Sequence, residues 1–280
     1  MISAGEYITH LIQQQVETAN SLINDNTINI DSRVHEVRKA MKRSKAFLKL
    51  LRPALPLTLY FTIKNKLRGV KKLLAEYRKH CVYVEIMKTN EKHIKSVADT
   101  EIYEELLSVF TDLRDTVLVN VQSLENSFFA VSNQIEQIPL DAVFTKSQKL
   151  TLKQTEKVLN KTKVKFQKNI LTSNTINSSA SSHQWRKSIK LYMYQAKAVT
   201  AINERVPVIP LKELDKIGEI LGKDHDIAEL LDFLAELDFS TKVKEYMPAI
   251  KKKLYQQMMS YRKDAVKKTK SLIEQPVLAE

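Results

Sequence analysis

One five-residue pattern occurs twice in this chain, both times at the spacing of an α-helix. His35, Arg38, Lys39, Lys42 and Lys49 form the first copy; His183, Arg186, Lys187, Lys190 and Lys197 repeat it at every step, 148 residues later. At about 100° per residue, each set falls within an arc of about 100°. Val37, Met41, Ser44, Leu48 and Leu51 lie opposite the first stripe, and Trp185, Ile189, Tyr192, Ala196 and Val199 opposite the second. A strand would scatter both stripes over two faces, so each segment must be a helix with one packed side and one cationic side. Glu36 is the only acid between Arg33 and Arg52. Like charges three and four residues apart repel by a few tenths of a kcal/mol per pair, a cost that a bound anion removes. A charge run is ordinarily a solvated face. Two copies in one register instead point to an internal duplication.

The rest of the chain suits long helices. Only 4 of 280 residues are Gly and 7 are Pro, which disfavours a loop-rich or β-rich fold. Hydrophobic residues make up 43%, enough for a substantial core. The formal charge of +13 favours an anionic partner: nucleic acid, an acidic membrane surface or polyphosphate. Cys81 is the single cysteine, which rules out an intrachain disulfide and points to a reducing compartment; set in an apolar run, it reads as a small core residue. The first seventeen residues lack the basic and apolar regions of a signal peptide, and the weakly polar run 53–63 is too short to cross a bilayer. These features predict a cytoplasmic protein without a membrane span.

In chain order, 2–24 reads as a helix with Tyr7, Leu11, Val16, Ala19 and Ile23 inward. The first basic helix covers 32–52, capped by Asp31 or Ser32, so that His35 lies in or near its first turn. Pro53 and Pro56 end it. Residues 57–87 read as one or two basic helices, and 97–137 as a long amphipathic segment with outward acids. Ile138-Pro139 is the best boundary, dividing the chain into halves 1–138 and 139–280. Residues 140–171 are helical and rich in lysine from Lys146 to Lys168. A polar linker, 172–182, leads into the second basic helix at 182–205, capped by Ser181 or Ser182. Residues 211–237 read as a helical hairpin broken near Gly222, and 241–274 as a last long helix in which Pro248 marks a kink or the true start. Helices joined by short connectors imply bundles. The predicted fold is all-α: two four-helix bundles related by a pseudo-two-fold, with a basic surface or cavity between them.

No phosphate-binding glycine loop, dinucleotide turn or serine elbow is present. Asp224-His225-Asp226 is a single His-Asp pair without partner histidines at ligand spacing, a weak signal for metal. No metal and no cofactor are therefore expected.

With the repeat in hand, the chain resembles the CHAD family, the conserved histidine α-helical domain. VHEVRKAMKRSKAFLKLLRP resembles the family's first signature, SHQWRKSIKLYMYQA its second, and IGEILGKDHDIAELLDFL the segment that follows. The resemblance covers nearly the whole chain and implies a single domain of two similar helical halves. It also implies binding of inorganic polyphosphate through the basic helices, without catalysis. The family's Leu-Gly-x-x-Arg-Asp is met at Leu74–Lys79 with the Arg kept as Arg78 but the Gly and Asp replaced; Arg78 is carried over on that match. Asp226 falls at the usual Asp of the second half, where the resemblance implies that it orients a basic side chain.

A polyphosphate chain offers a line of anionic oxygens, for which cations at helical spacing are suited: Arg for bidentate contact, Lys for point charge. The expected contacts are His35, Arg38, Lys39, Lys42, Arg43, Lys45, Lys49 and Arg78 in the first half, and His183, Arg186, Lys187, Lys190 and Lys197 in the second. Arg43 and Lys45 are matched by Leu191 and Met193, so the second copy is the less basic. A nearby polyanion should raise the histidine pKa. Proteins of polyphosphate metabolism are further partners implied, and polyphosphate granules a further location. Two other classes compete. A nucleic-acid binder fits the charge but lacks aromatics spaced along the basic faces. An enzyme acting on polyphosphate would need a carboxylate–metal cluster.

Overall fold

A computed structural model describes residues 2–119, 121–171 and 178–274 of the chain. Among these it forms twelve helices and no strand: α1 (Ala4–Asn24), α2 (Ile30–Leu50), α3 (Leu57–Leu73), α4 (Ala75–Thr89), α5 (Glu91–Lys95), α6 (Thr100–Val119), α7 (Val121–Glu136), α8 (Leu140–Ser147), α9 (Leu152–Leu171), α10 (Ser179–Ile202), α11 (Leu211–Phe233) and α12 (Thr241–Glu274). The all-α fold read from the sequence is the one observed. Of the linker expected at 172–182, residues 172–177 lie outside the described residues, and 179–182 form the first turn of α10 instead.

Both basic helices begin earlier than expected. Asn29 caps α2, its side chain accepting from the Asp31 amide at 2.8 Å. Ser178 caps α10, accepting from the Ser181 amide at 3.2 Å. His35, expected in or near the first turn, therefore stands in the second, as does His183, beyond the orphan N–H groups of the helix start. Asp31, expected as the cap, instead accepts hydrogen bonds from the Tyr77 hydroxyl and, at 3.1 Å, from the Cys81 thiol. Burial first, then the bond to Asp31, push the Cys81 pKa up to about 12, so the thiol is a core group. The hairpin expected at 211–237 is also corrected: α11 runs straight through Gly222. Pro248 lies inside α12 and marks neither end.

The packed faces are those the periodicity gave. Val37, Met41, Ser44, Leu48 and Leu51 are buried, as are Trp185, Ile189, Tyr192, Ala196 and Val199. The two basic helices pack on each other, and the buried Gln195 amide of α10 donates to the Ala46 carbonyl of α2 at 3.1 Å. Phe166 of α9 stacks on Tyr192 with ring centroids 5.7 Å apart.

Buried apolar residues fall into two clusters, and neither coincides with a sequence half. The first joins α1, α2 and α3 to α9, α10 and the first part of α11, through residues such as Ile8, Val37, Leu67, Phe166, Trp185 and Leu221. The second joins the end of α4 and α6 to the end of α11 and the start of α12, through Tyr83, Phe110, Leu230 and Met258. Along α4 the changeover falls between Cys81 and Tyr83, along α11 between Leu221 and Ile227, and along α12 between Met258 and Ala265. Arg78, Asp224, His225, Asp226 and Arg262 occupy or flank these gaps. A polar seam thus crosses the molecule where the two cores meet.

Candidate anion-binding site

The seam is where the two stripes converge. Arg38 of α2 donates to the carbonyl of Lys71, in the last turn of α3. That bond uses a helix-end acceptor and holds the guanidinium beside Arg78 of α4. The Lys42 side chain keeps access to solvent; the surrounding protein first, then Arg186, Lys71 and Arg38, pull its pKa down to about 7. Lys71 is drawn to about 8 by burial and by Arg38, Lys45, Lys187 and Arg186. Lys45 faces Lys64, Arg68 and Lys187, and with burial they lower its pKa too. Cations from α2, α3, α4 and α10 thus crowd one region, each neighbour disfavouring the next one's charge.

On the other side, the His183 ring of α10 lies 4.0 Å from the His225 ring of α11, centroid to centroid. Burial lowers both to about 4, His183 with help from His225, Lys187 and Arg186, and His225 with help from Arg186, Lys187 and Lys42. Arg186 Nε and His183 Nδ1 are closed off from solvent and hydrogen-bonded to nothing in the protein. A buried donor left unpaired is costly, so Arg186 Nε marks where an acceptor belongs.

Two glycines make room for these side chains. A Cβ on Gly222 would come within 3.3 Å of Arg186 Nε, and one on Gly218 within 2.9 Å of Lys190 Cε. Gly costs about 1 kcal/mol against Ala in a helix interior, and here it lets two long cations lie across α11. Replacing both by alanine is therefore expected to raise the melting temperature while weakening anion binding several-fold. Thermal denaturation and a binding titration on the same variant check both parts.

The acids are few. Asp226 lies deep; burial raises its pKa to about 6 against the pull of Arg186, Arg78 and Lys42. Glu229 stands at the exposed rim, 3.5 Å from His225 Nε2. The ligand atoms of His225, Asp226 and Glu229 lie within 4.8 Å of one another, a spacing that could hold a metal ion. The nearby charges of Arg186, Arg78 and Lys42 oppose a cation there.

The sequence-derived residues do not all meet. Arg38, Lys42, Lys45, Arg78, His183, Arg186 and Lys187 share the cluster. His35 is half exposed at its edge, beside Arg78 and 3.8 Å from Glu36. Lys39 pairs with Glu36 at 3.0 Å. Lys190 pairs with Asp215 at 2.6 Å, and Lys197 and Lys39 lie toward the same carboxylate. Lys49 reaches the Thr162 hydroxyl at 3.4 Å. Arg43 turns away, donating to Gln15 at 3.3 Å beside the Tyr194 ring. The first stripe thus keeps Lys42 without an ion-pair partner among the described residues, whereas its counterpart Lys190 has one.

Four contributors were missed in the sequence. Lys64, Arg68 and Lys71 sit at i, i+4 and i+7 along α3, a helical face that the same test applied to the stripes would have found. His225 carried no such signal: only the fold sets it against His183.

The family model described as CHAD domain matches residues 7–235. Among solved structures, PptA from Streptomyces chartreusis is similar at 13% identity with a TM-score of 0.73, covering 95% of this chain and 99% of its own. At that identity the likeness speaks for the fold alone. A search of curated proteins gave no match.

Proposed function

The chain belongs to the CHAD family, and from that premise we propose that it binds inorganic polyphosphate, without catalysis, in the seam between its cores. The observation that carries the reading is the convergence of Arg38, Lys42, Lys71, Arg78, Arg186 and Lys187 from four helices, with the Asp226 carboxylate beside Arg186, Arg78 and Lys42. Crowded cations, with Arg186 Nε buried and unpaired, are poised for an oxygen-rich anion, and phosphate oxygens accept from arginine two at a time; Arg78 also pairs with Glu85 at 3.4 Å. No helix among the described residues is long and apolar enough to cross a membrane.

The test is a competition: labelled long-chain polyphosphate bound near physiological salt is challenged with tRNA, duplex DNA and tripolyphosphate at matched charge. Displacement by tripolyphosphate but not by tRNA or duplex DNA supports the reading. Equal displacement by RNA or DNA would make nucleic acid the partner. Phosphate release with Mg²⁺ or Mn²⁺ would make the protein an enzyme.

The pH dependence follows from the shifts. In the free protein Lys42 holds its proton only below about pH 7 and Lys71 below about pH 8. A polyanion restores both charges, so binding takes up protons and weakens as pH rises through 7 to 9. The histidine pair, at about 4, contributes to that window only as far as the ligand lifts it. For the free protein the sign is opposite. The unfolded chain binds more protons than the folded one between pH 7 and the ordinary lysine range, so stability from these two groups grows with pH there. Asp226 works against this only below about pH 6. Titration calorimetry at pH 7.5 in buffers of different ionisation enthalpy is expected to show net proton uptake; a buffer-independent heat would remove the two lysines from the site.

A further inference from the structure

The lysines of α9 belong to no contact described so far. Lys153, Lys157, Lys161 and Lys165 follow one another at four-residue spacing and are all exposed. Thr155, Leu159, Thr162 and Phe166 hold the opposite face in the core. Glu156 is the helix's one acid, and its Oε1 accepts from Asn203 at 3.3 Å. Among the described residues none of the four lysines has an ion-pair partner, so their mutual repulsion is uncompensated. A shallow depression of about 560 Å³ runs along this face, lined by Lys153, Glu156, Lys157, Asn160, Lys161 and Val164.

The stripe is continuous with the central cluster. Lys49, the last cation of the α2 stripe, hydrogen-bonds Thr162 of α9 at 3.4 Å and lies close enough to Lys165 for the two charges to act on each other. From Lys165 the row leads away from the seam to Lys153, about 18 Å at 1.5 Å per residue.

We propose that α9 carries an outer track on which a long polyphosphate chain, already gripped in the seam, continues from Lys49 over Lys165 and Lys161 to Lys153. This rests on the function proposed above and assigns the protein a preference for chains long enough to reach both segments. A short oligophosphate fills the seam alone. A long one adds the α9 lysines as a second contact on the same molecule, which raises affinity by effective concentration without changing the first site.

The experiment compares tripolyphosphate with long-chain polyphosphate on the full chain. Replacing Lys153, Lys157, Lys161 and Lys165 together by glutamine is expected to weaken long-chain binding at least about tenfold. It should also lower the slope of log affinity against log salt by about three, by analogy with counterion release from nucleic acids. Tripolyphosphate binding should not change, and the same four positions as arginine should retain long-chain affinity. Unchanged long-chain affinity and slope overturn the track, as does an equal loss for tripolyphosphate. Loss of RNA binding with polyphosphate binding kept would give the stripe to nucleic acid and overturn it too. An Arg38→Ala/Arg186→Ala variant reads the seam separately. If that variant keeps tripolyphosphate, the central reading fails, whatever the lysine variant does.

Discussion

Replacing Arg38 and Arg186 together by alanine is expected to lower polyphosphate affinity at least a hundredfold while leaving the melting temperature nearly unchanged. Each guanidinium offers charge-assisted hydrogen bonds, worth roughly 1.5–3 kcal/mol apiece. Two lost arginines then remove about 3–6 kcal/mol, or a factor on the order of a hundred to ten thousand. Losing a buried arginine normally destabilises, because it strands the partner acid. Here the neighbours are chiefly cations. Arg38 gives up one bond to the Lys71 carbonyl, roughly 1 kcal/mol. In return Lys42 and Lys71 lose the charges that repel them. Fluorescence anisotropy with labelled polyphosphate and a circular-dichroism melt are the two readouts. Full binding by the folded variant would end the seam assignment, and a melt lowered by about 10 °C would show that the arginines are structural.

The largest stability effect belongs to another pair. Asp224 and Arg262 are almost wholly buried, with side-chain exposures of 0% and 5%. Arg262 Nε donates to Asp224 Oδ1 at 3.0 Å, while Nη2 lies 2.9 Å from the same oxygen at an angle that makes no second bond. The other carboxylate oxygen accepts from the Ser182 hydroxyl. Asp224 therefore ties α10, α11 and α12 together from inside the seam. Asp224→Ala leaves a guanidinium buried without compensation, which costs about 3–5 kcal/mol. The melting temperature should fall by about 10 °C. A double variant, Asp224→Leu with Arg262→Met, removes both charges and should recover most of that loss. Equal destabilisation by single and double variants would locate the cost in packing and not in the stranded charge.

Much of this was legible in the sequence where one helix sufficed to express it. The stripes, their buried counterparts and the all-α class follow from period alone. Caps were harder: Asn29 and Ser178 compete with nearby Asp31, Ser181 and Ser182, all chemically able to cap, and tertiary packing decides among them. Gly222 was taken for a break because glycine weakens helices. Its reason lies across the molecule in Arg186, which a one-dimensional pattern does not contain. Likewise, Lys39 shares a stripe with Lys42 and Lys190 is the counterpart of Lys42 in the second stripe, but Glu36 and Asp215 engage them, and Asp215 comes from another helix. The histidines' lowered basicity depends on burial and on their cationic neighbours, so the pH window of binding lies with Lys42 and Lys71.

The seam also sets how the molecule breathes. Each apolar body is close-packed and resists deformation, so compliance concentrates in the charged layer between them, where burial is incomplete and neighbouring charges push apart. An anion bound there would touch α2, α3 and α10 of one body while bridging to α4 and α11, which run into the other. It would act as a latch on a soft joint. Amide exchange should slow most along residues 78–82 and 222–226, and least in the interiors of the two bodies, which are already rigid.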